Sequence, residues 1–206
     1  MNYLEEPKVS LSKYIRFYDN VLPKNTLDKF LRICEQQNKF QQGKIIKGKS
    51  SNEDPNTINT KVRDTLIWYL TNADFEKSLT DIHWCSFWFY QIKNYIRSYF
   101  EDLKIDYSKC PVTIKDIQVL KYVKQGHYVF HIDHGELVPR TLSFIFLVNE
   151  DYKGGELVFG LPDLSKTMTI EKKSNRLIIW PSNFLYPHSV TPVTEGIRYS
   201  IVAWAL

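Results

Sequence analysis

Apolar positions change their period along this chain at about residue 112. Before that point they recur at helical spacing, and after it they bunch into short β-branched and aromatic runs. Leu27, Phe30, Leu31 and Cys34 fall at i, i+3, i+4 and i+7 behind the start signal Pro23-Lys24-Asn25-Thr26, which predicts an amphipathic helix. A longer helix is predicted over 82–103. Its apolar stripe is Ile82, Phe89, Ile92, Ile96, Tyr99, Phe100 and Leu103, with Asn94, Arg97 and Glu101 opposite. Residues 1–21 predict short extended pieces with Ile15, Phe17 and Val21 as apolar points. The polar stretch 36–60, with Gly43, Gly48, Ser50-Ser51-Asn52 and Asp54-Pro55-Asn56, predicts a weakly structured loop near 36–60 that is either a lid or a plain surface loop. Residues 63–70 are a strand or the edge of the core.

The second half predicts strands over 112–123, 128–133, 141–148, 156–160, 166–171, 176–180, 186–191 and 197–205. Turn signals separate them, among them Gly154-Gly155, Leu161-Pro162-Asp163, Pro181-Ser182-Asn183 and Glu195-Gly196. Eight short, regularly spaced strands point to a sandwich or barrel, so the expected class is α+β, mainly β. The pattern shows no sharp boundary. The expectation is one domain over 1–206, in which 1–111 gives mainly helical support packed on one sheet and 112–206 forms the β core.

Composition changes this picture little. Of 206 residues 43% are hydrophobic and 24% charged, which fits a globular chain; 13 Tyr, 12 Phe and 5 Trp predict an aromatic core. A dispersed net charge of +4 is only weak evidence for a nucleic-acid partner, which a basic surface stripe would be needed to raise, so nucleic acid is not the expected partner. Three cysteines without CxxC spacing read as buried thiols in a reducing compartment. The start MNYLEEPKVS has no signal-peptide pattern and no run reaches membrane-spanning length, so the expected location is cytoplasmic, with no membrane partner.

The candidate chemistry begins at His131-Ile132-Asp133. Alternate side chains of a strand share a face, so an imidazole and a carboxylate project together. His188, on another strand, would complete a 2-His-1-carboxylate triad, a geometry that suits non-haem Fe(II) because it leaves coordination positions open. His127 and His134 compete as ligands; His134 should point to the opposite face and His127 lies too far along the strand. His83, beside Trp84, reads as structural. In the last strand the period of two puts Arg198, Ser200, Val202 and Trp204 on one face. An inward Arg198 needs an anion, and a carboxylate answers it in bidentate fashion. The competing reading is an edge strand with Arg198 in solvent or paired with Glu195.

Taken in order, Tyr122, Gly126, Tyr128, His131-x-Asp133, Arg140-Thr141-Leu142-Ser143, Asn149, Gly154-Gly155-Glu156-Leu157, Pro187-His188 and Gly196-x-Arg198-Tyr199-Ser200 with Trp204 resemble the 2-oxoglutarate- and Fe(II)-dependent oxygenases, in particular their prolyl 4-hydroxylase-like branch. The resemblance covers 112–206. It implies a double-stranded β-helix (a jelly-roll, cupin-like core). His131, Asp133 and His188 would be the metal ligands. Arg198, Tyr122 and Ser200 would bind 2-oxoglutarate, and Arg140, Tyr128 and Trp204 would face the substrate. It further implies Fe(II), 2-oxoglutarate and O2 as cofactor and co-substrates, ascorbate as reductant, and a protein or peptide substrate hydroxylated at a prolyl or other amino-acid side chain. Val202 and Leu147 depart from relatives that place a hydroxyl there. Two alternatives stay open: a nucleic-acid alkyl-damage demethylase, against which Trp204 speaks because such relatives carry a second arginine near there, and a non-catalytic jelly-roll binding protein.

Overall fold

The computed structural model describes residues 10–46, 56–71, 78–110 and 112–206. In chain order it contains β1 (Arg16–Asp19), α1 (Lys24–Gln36), β2 (Gln41–Gln42), β3 (Ile45–Ile46), β4 (Asn56–Thr57), β5 (Arg63–Asp64), β6 (Leu66–Tyr69), α2 (Leu79–Asp102), β7 (Ile114–Tyr122), β8 (His127–His131), β9 (Leu142–Leu147), β10 (Lys153–Gly154), β11 (Leu157–Gly160), β12 (Thr167–Thr169), β13 (Arg176–Pro181), β14 (His188–Val190), β15 (Val193–Glu195) and β16 (Arg198–Ala205). Two antiparallel sheets carry the core. The larger has the order β1-β13-β9-β16-β7-β6-β2, and the smaller the order β12-β11-β14-β8-β5.

The larger sheet is buried on both faces, and the parity of its side chains sorts them into two cores. Odd positions of β16 (Tyr199, Ile201, Ala203, Ala205), with Phe144, Phe146, Leu177 and Ile179, pack against the helices. Val202, Trp204, Ile145, Leu147, Ile178 and Trp180 face the smaller sheet and meet Leu157, Phe159 and Val190. One break in parity occurs on β7. Val202 pairs with Gln118 but Trp204 pairs with Lys115, and Asp116 takes the left-handed conformation at φ 53°. That bulge lets Ile114 and Ile117 both face the helices while Gln118, Leu120 and Tyr122 look inward.

Both predicted helices form, and α2 presents a different stripe from the one expected. Trp84, Trp88, Ile92, Ile96, Tyr99 and Phe100 are buried, whereas Ile82 and Phe89 are 48% and 43% exposed. Trp88 sits between Phe30 of α1 (5.3 Å) and Phe146 of β9 (4.8 Å), and Phe30 also meets Trp84 (4.6 Å). These tilted aromatic pairs fix the rotation of the helix on the sheet. The stretch expected to be weakly structured over 36–60 contains β2, β3 and β4, with β3 paired to β4 and β2 to β6. Its middle, 47–55, lies outside the described residues, as does most of the N-terminal stretch read for a signal peptide. The first half thus contributes strands as well as helices. Among the described residues no helix is long and apolar enough to cross a membrane.

Asp81 ties α2 to this frame. It closes a capping box with Ser78, accepts from Trp68 Nε1 at 3.0 Å and pairs with Lys39. Asp81→Ala should lower stability by about 2–4 kcal/mol in urea unfolding, since it strands a buried indole N–H and removes the cap. Burial alone would raise this carboxyl, but the Lys39 and Ser78 hydrogen bonds outweigh it and hold it below its ordinary 3.8. A carboxyl depressed in the folded state stabilises above its unfolded pKa. The contribution therefore fades as pH falls below 3.8, and the variant should show a flatter acid limb.

Candidate metal centre

β8 and β14 are antiparallel neighbours in the smaller sheet, with His131 directly opposite His188. Asp133 follows two residues after His131. The ligand atoms of His131, Asp133 and His188 all lie within 4.8 Å of one another. Asp133 Oδ1 is 3.7 Å from His131 Nε2, and Oδ2 is 3.4 Å from His188 Nε2. Each imidazole turns Nδ1 to the backbone carbonyl two residues before it, Val129 at 2.9 Å and Tyr186 at 3.1 Å. A carbonyl only accepts, so Nδ1 carries the proton and both Nε2 lone pairs point into the site. Burial, together with the neighbouring His188, pushes His131 down to about 3. Burial works to raise Asp133, but His188, His131, Arg140 and the Ser143 hydroxyl outweigh it and lower its pKa. Two neutral imidazoles and one carboxylate on a single face are the donor set that a divalent iron with open positions requires.

The other two histidines considered as ligands point elsewhere. His127 contacts the carbonyls of Gln125 (2.9 Å) and Lys61 (3.3 Å), and His134 contacts that of Arg140 (2.7 Å). His83 packs against Trp84 and Phe87 on α2.

Around the triad, Ser143 donates to Asp133 Oδ2 at 2.7 Å and is bonded in turn to Ser182 at 2.7 Å. Tyr128 stacks on His131 at 3.6 Å, and Trp180 and Phe159 flank His188 at 5.0 and 5.7 Å. Arg140 lies 3.6 Å over the Trp204 ring and 3.8 Å from Asp133 Oδ1. A cavity of about 490 Å³ opens from the triad, lined by Tyr122, Tyr128, Arg140 and Trp204 among others.

Arg198 begins β16, a central strand, and is 0% exposed. The solvent-facing alternative is thereby overturned, and Glu195 pairs with Lys153 instead. The guanidinium donates to Ser200 Oγ at 2.9 Å and lies 4.9 Å over the Tyr122 ring. Its Nε and Nη2 have no partner. Arg198 and Ser200 are not on the cavity wall; Tyr122, on whose ring the guanidinium lies, is. Buried unpaired guanidinium donors behind Tyr122, which lines the cavity of the triad, fit a carboxylate ligand.

Two further motif positions owe their residue types to Arg198. Asn149 accepts from Tyr199 N at 2.8 Å and donates to Ile197 O at 2.8 Å, gripping the chain on both sides of the arginine. Gly155, at φ +66°, leaves room for it: a Cβ there would stand 3.0 Å from Arg198 Cδ and 2.9 Å from Val193. The sequence pattern assigns that pair of glycines only a turn. It also gives no role to Arg63, Lys44, Tyr69, Asp116 or Gln118, which line the same cavity. Their signal is weak, because each stands alone among polar or mixed neighbours far from the triad in sequence.

This arrangement is a double-stranded β-helix with helices outside and a His-Asp-His set on its smaller sheet, a fold shared with solved prolyl hydroxylases. A prolyl 4-hydroxylase from Pseudomonas putida superposes with a TM-score of 0.67 at 16% identity, covering 93% of this chain and 91% of that one. A prolyl hydroxylase from Trichoplax adhaerens, solved with a hypoxia inducible factor peptide fragment, gives 0.68 at 18% identity over 95% and 84%. The sequence itself is more specific. Residues 117–206 match the profile of the 2OG-Fe(II) oxygenase superfamily. A PKHD-type hydroxylase of Rippkaea orientalis is 35% identical over 101 residues, 46% of this chain and 44% of that protein; one of Prochlorococcus marinus is 38% identical over 98 residues, 46% and 42%. The chain thus aligns with less than half the length of these relatives.

Proposed function

We propose that the protein is an Fe(II)- and 2-oxoglutarate-dependent dioxygenase that hydroxylates a C–H bond of a prolyl or other amino-acid side chain in a peptide or protein. The observation that carries this reading is Arg198, fully buried with two unpaired donor nitrogens against Tyr122, which shares the cavity of a preformed His-Asp-His set. His131, Asp133 and His188 would hold the metal through Nε2, one carboxylate oxygen and Nε2. Arg198, helped by Ser200 and the Tyr122 hydroxyl, would receive the distal carboxylate of 2-oxoglutarate. When bound, Fe(II) and 2-oxoglutarate supply the O2 chemistry, with succinate and CO2 as products beside the hydroxylated substrate. The chain's own part is positional. Ser143 orients the Asp133 carboxylate, backbone carbonyls fix the histidine tautomers, and Phe159 and Trp180 keep water from the His188 side. Tyr128, Arg140 and Trp204 would face the substrate.

The reading predicts 2-oxoglutarate-dependent succinate release with Fe(II) and ascorbate present. A mass gain of one oxygen atom should appear on members of a proline-containing peptide and protein library. Equal succinate from wild type and His131→Ala across the whole library would sink it.

A further inference from the structure

Arg63 lines the metal cavity and has no part in the mechanism above. It sits on β5, the edge strand of the smaller sheet, directly opposite Tyr128 of β8. Its guanidinium lies 4.9 Å from the centroid of the Tyr128 ring, whose stacking distance to the His131 ring is 3.6 Å. Nη1 donates to the Lys44 carbonyl at 3.1 Å, which brings a third cation to the same wall. Nε is buried without an acceptor, and no ion pair joins Arg63 to a carboxylate of the described residues. A guanidinium in that condition is a receptor for an anion.

The other charges of the cavity decide where the anion goes. Arg140 already has Asp133 at 3.8 Å. Burial lowers Arg140, and Asp133, Asp116 and Tyr128 counter this, while Arg63 works against it as a like charge facing the same space. Glu136 is the remaining acid on the wall. A second carboxylate would meet Asp133 and Asp116 on the Arg140 side. On the Arg63 side it meets Arg63 and Lys44.

We propose that Arg63 is a specificity-determining residue that receives a carboxylate of the substrate on the Tyr128 side of the metal, so that the site selects substrates with an acidic group flanking the C–H bond to be hydroxylated. The inference rests on the hydroxylase reading and deepens it. The carboxylate comes either from an acidic side chain of a peptide or from the α-carboxylate of a free amino acid.

Protein loaded with Mn(II) and 2-oxoglutarate without O2 tests this by calorimetric binding. One arm compares the capped peptide Ala-Glu-Pro-Glu-Ala with its Gln counterpart, the other L-proline with L-prolinamide. In at least one arm the carboxylate probe should bind about tenfold more tightly than its amide partner, the size expected of one charge-assisted contact. Arg63→Gln should erase that difference and Arg63→Lys keep part of it, with Mn(II) and 2-oxoglutarate affinities unchanged in both. A preference in the first arm assigns the group to a peptide side chain, and one in the second to a free amino acid. Equal affinities in both arms, absence of binding by every probe, or a preference that survives Arg63→Gln overturns the proposal. Failure of wild type to bind 2-oxoglutarate is a separate outcome and strikes the hydroxylase reading itself.

Discussion

Arg198→Met is expected to weaken 2-oxoglutarate binding by about 10²-fold or more while leaving the metal-free protein as stable as before, or more so. The two effects have one cause. The guanidinium is fully buried, keeps its hydrogen bond to Ser200, the Tyr152 hydroxyl alongside and the face of Tyr122, and leaves Nε and Nη2 unpaired. Unpaired buried donors cost about 1–3 kcal/mol, and a methionine fills most of the stem's volume without them. In the complex the same donors would meet a carboxylate. Removing one partner of a buried ion pair costs about 3–5 kcal/mol, which weakens 2-oxoglutarate binding on the order of 10²- to 10⁴-fold. Calorimetry should find metal binding retained, the 2-oxoglutarate-induced rise in Tm gone, and the Tm of the unliganded protein unchanged or raised. A fall of more than about 2 kcal/mol in unliganded stability would make Arg198 a structural residue.

That arginine is legible in the amino-acid pattern because β16 is regular where it matters. Two-residue alternation from Arg198 through Trp204 survives intact, and β16 lies between β9 and β7 and is buried along its whole length. The His131-Asp133 pair is legible from its spacing although β8 ends at His131 and Asp133 lies two residues beyond it, and the ordered motifs supply the return of His188. The pattern misleads where tertiary packing overrides local periodicity. On α2, Trp88 and Phe89 are consecutive large apolar residues about 100° apart around the helix, and the positions of Phe30 and Phe146 decide that the tryptophan goes in. On β7, one residue in the left-handed conformation at Asp116 shifts the parity, and no composition signal marks it. Arg63 reaches the cavity through a two-residue strand paired to β8, 65 positions on in the register. A pairing that short has no period to read.

Asp133→Ala should do the reverse of Arg198→Met and lower both metal affinity and stability. This carboxylate has its partners within the chain: it accepts from Ser143 at 2.7 Å, lies 3.8 Å from Arg140 Nη1, and stands between two imidazoles whose centroids are 4.3 Å apart. Its loss removes one of three metal ligands and the only negative charge of the triad, so metal affinity should fall on the order of 10²-fold or more. It also leaves the half-buried Arg140 with its nearest carboxylate gone, which should cost about 2–4 kcal/mol in urea unfolding of the metal-free protein. Asp133→Asn separates the two effects. An amide oxygen still accepts from Ser143 but carries no charge, so stability should recover in part while metal binding stays weak. Metal titration with Mn(II) and denaturant curves on the three proteins read this directly; a fully stable Asp133→Ala, or one that binds metal like wild type, defeats the assignment. The opposite signs expected at Arg198 and Asp133 separate the two buried charges by the source of the partner. The fold itself pairs Asp133 and so gains stability from it, whereas Arg198 is left for a co-substrate to pair, at a stability cost to the empty protein.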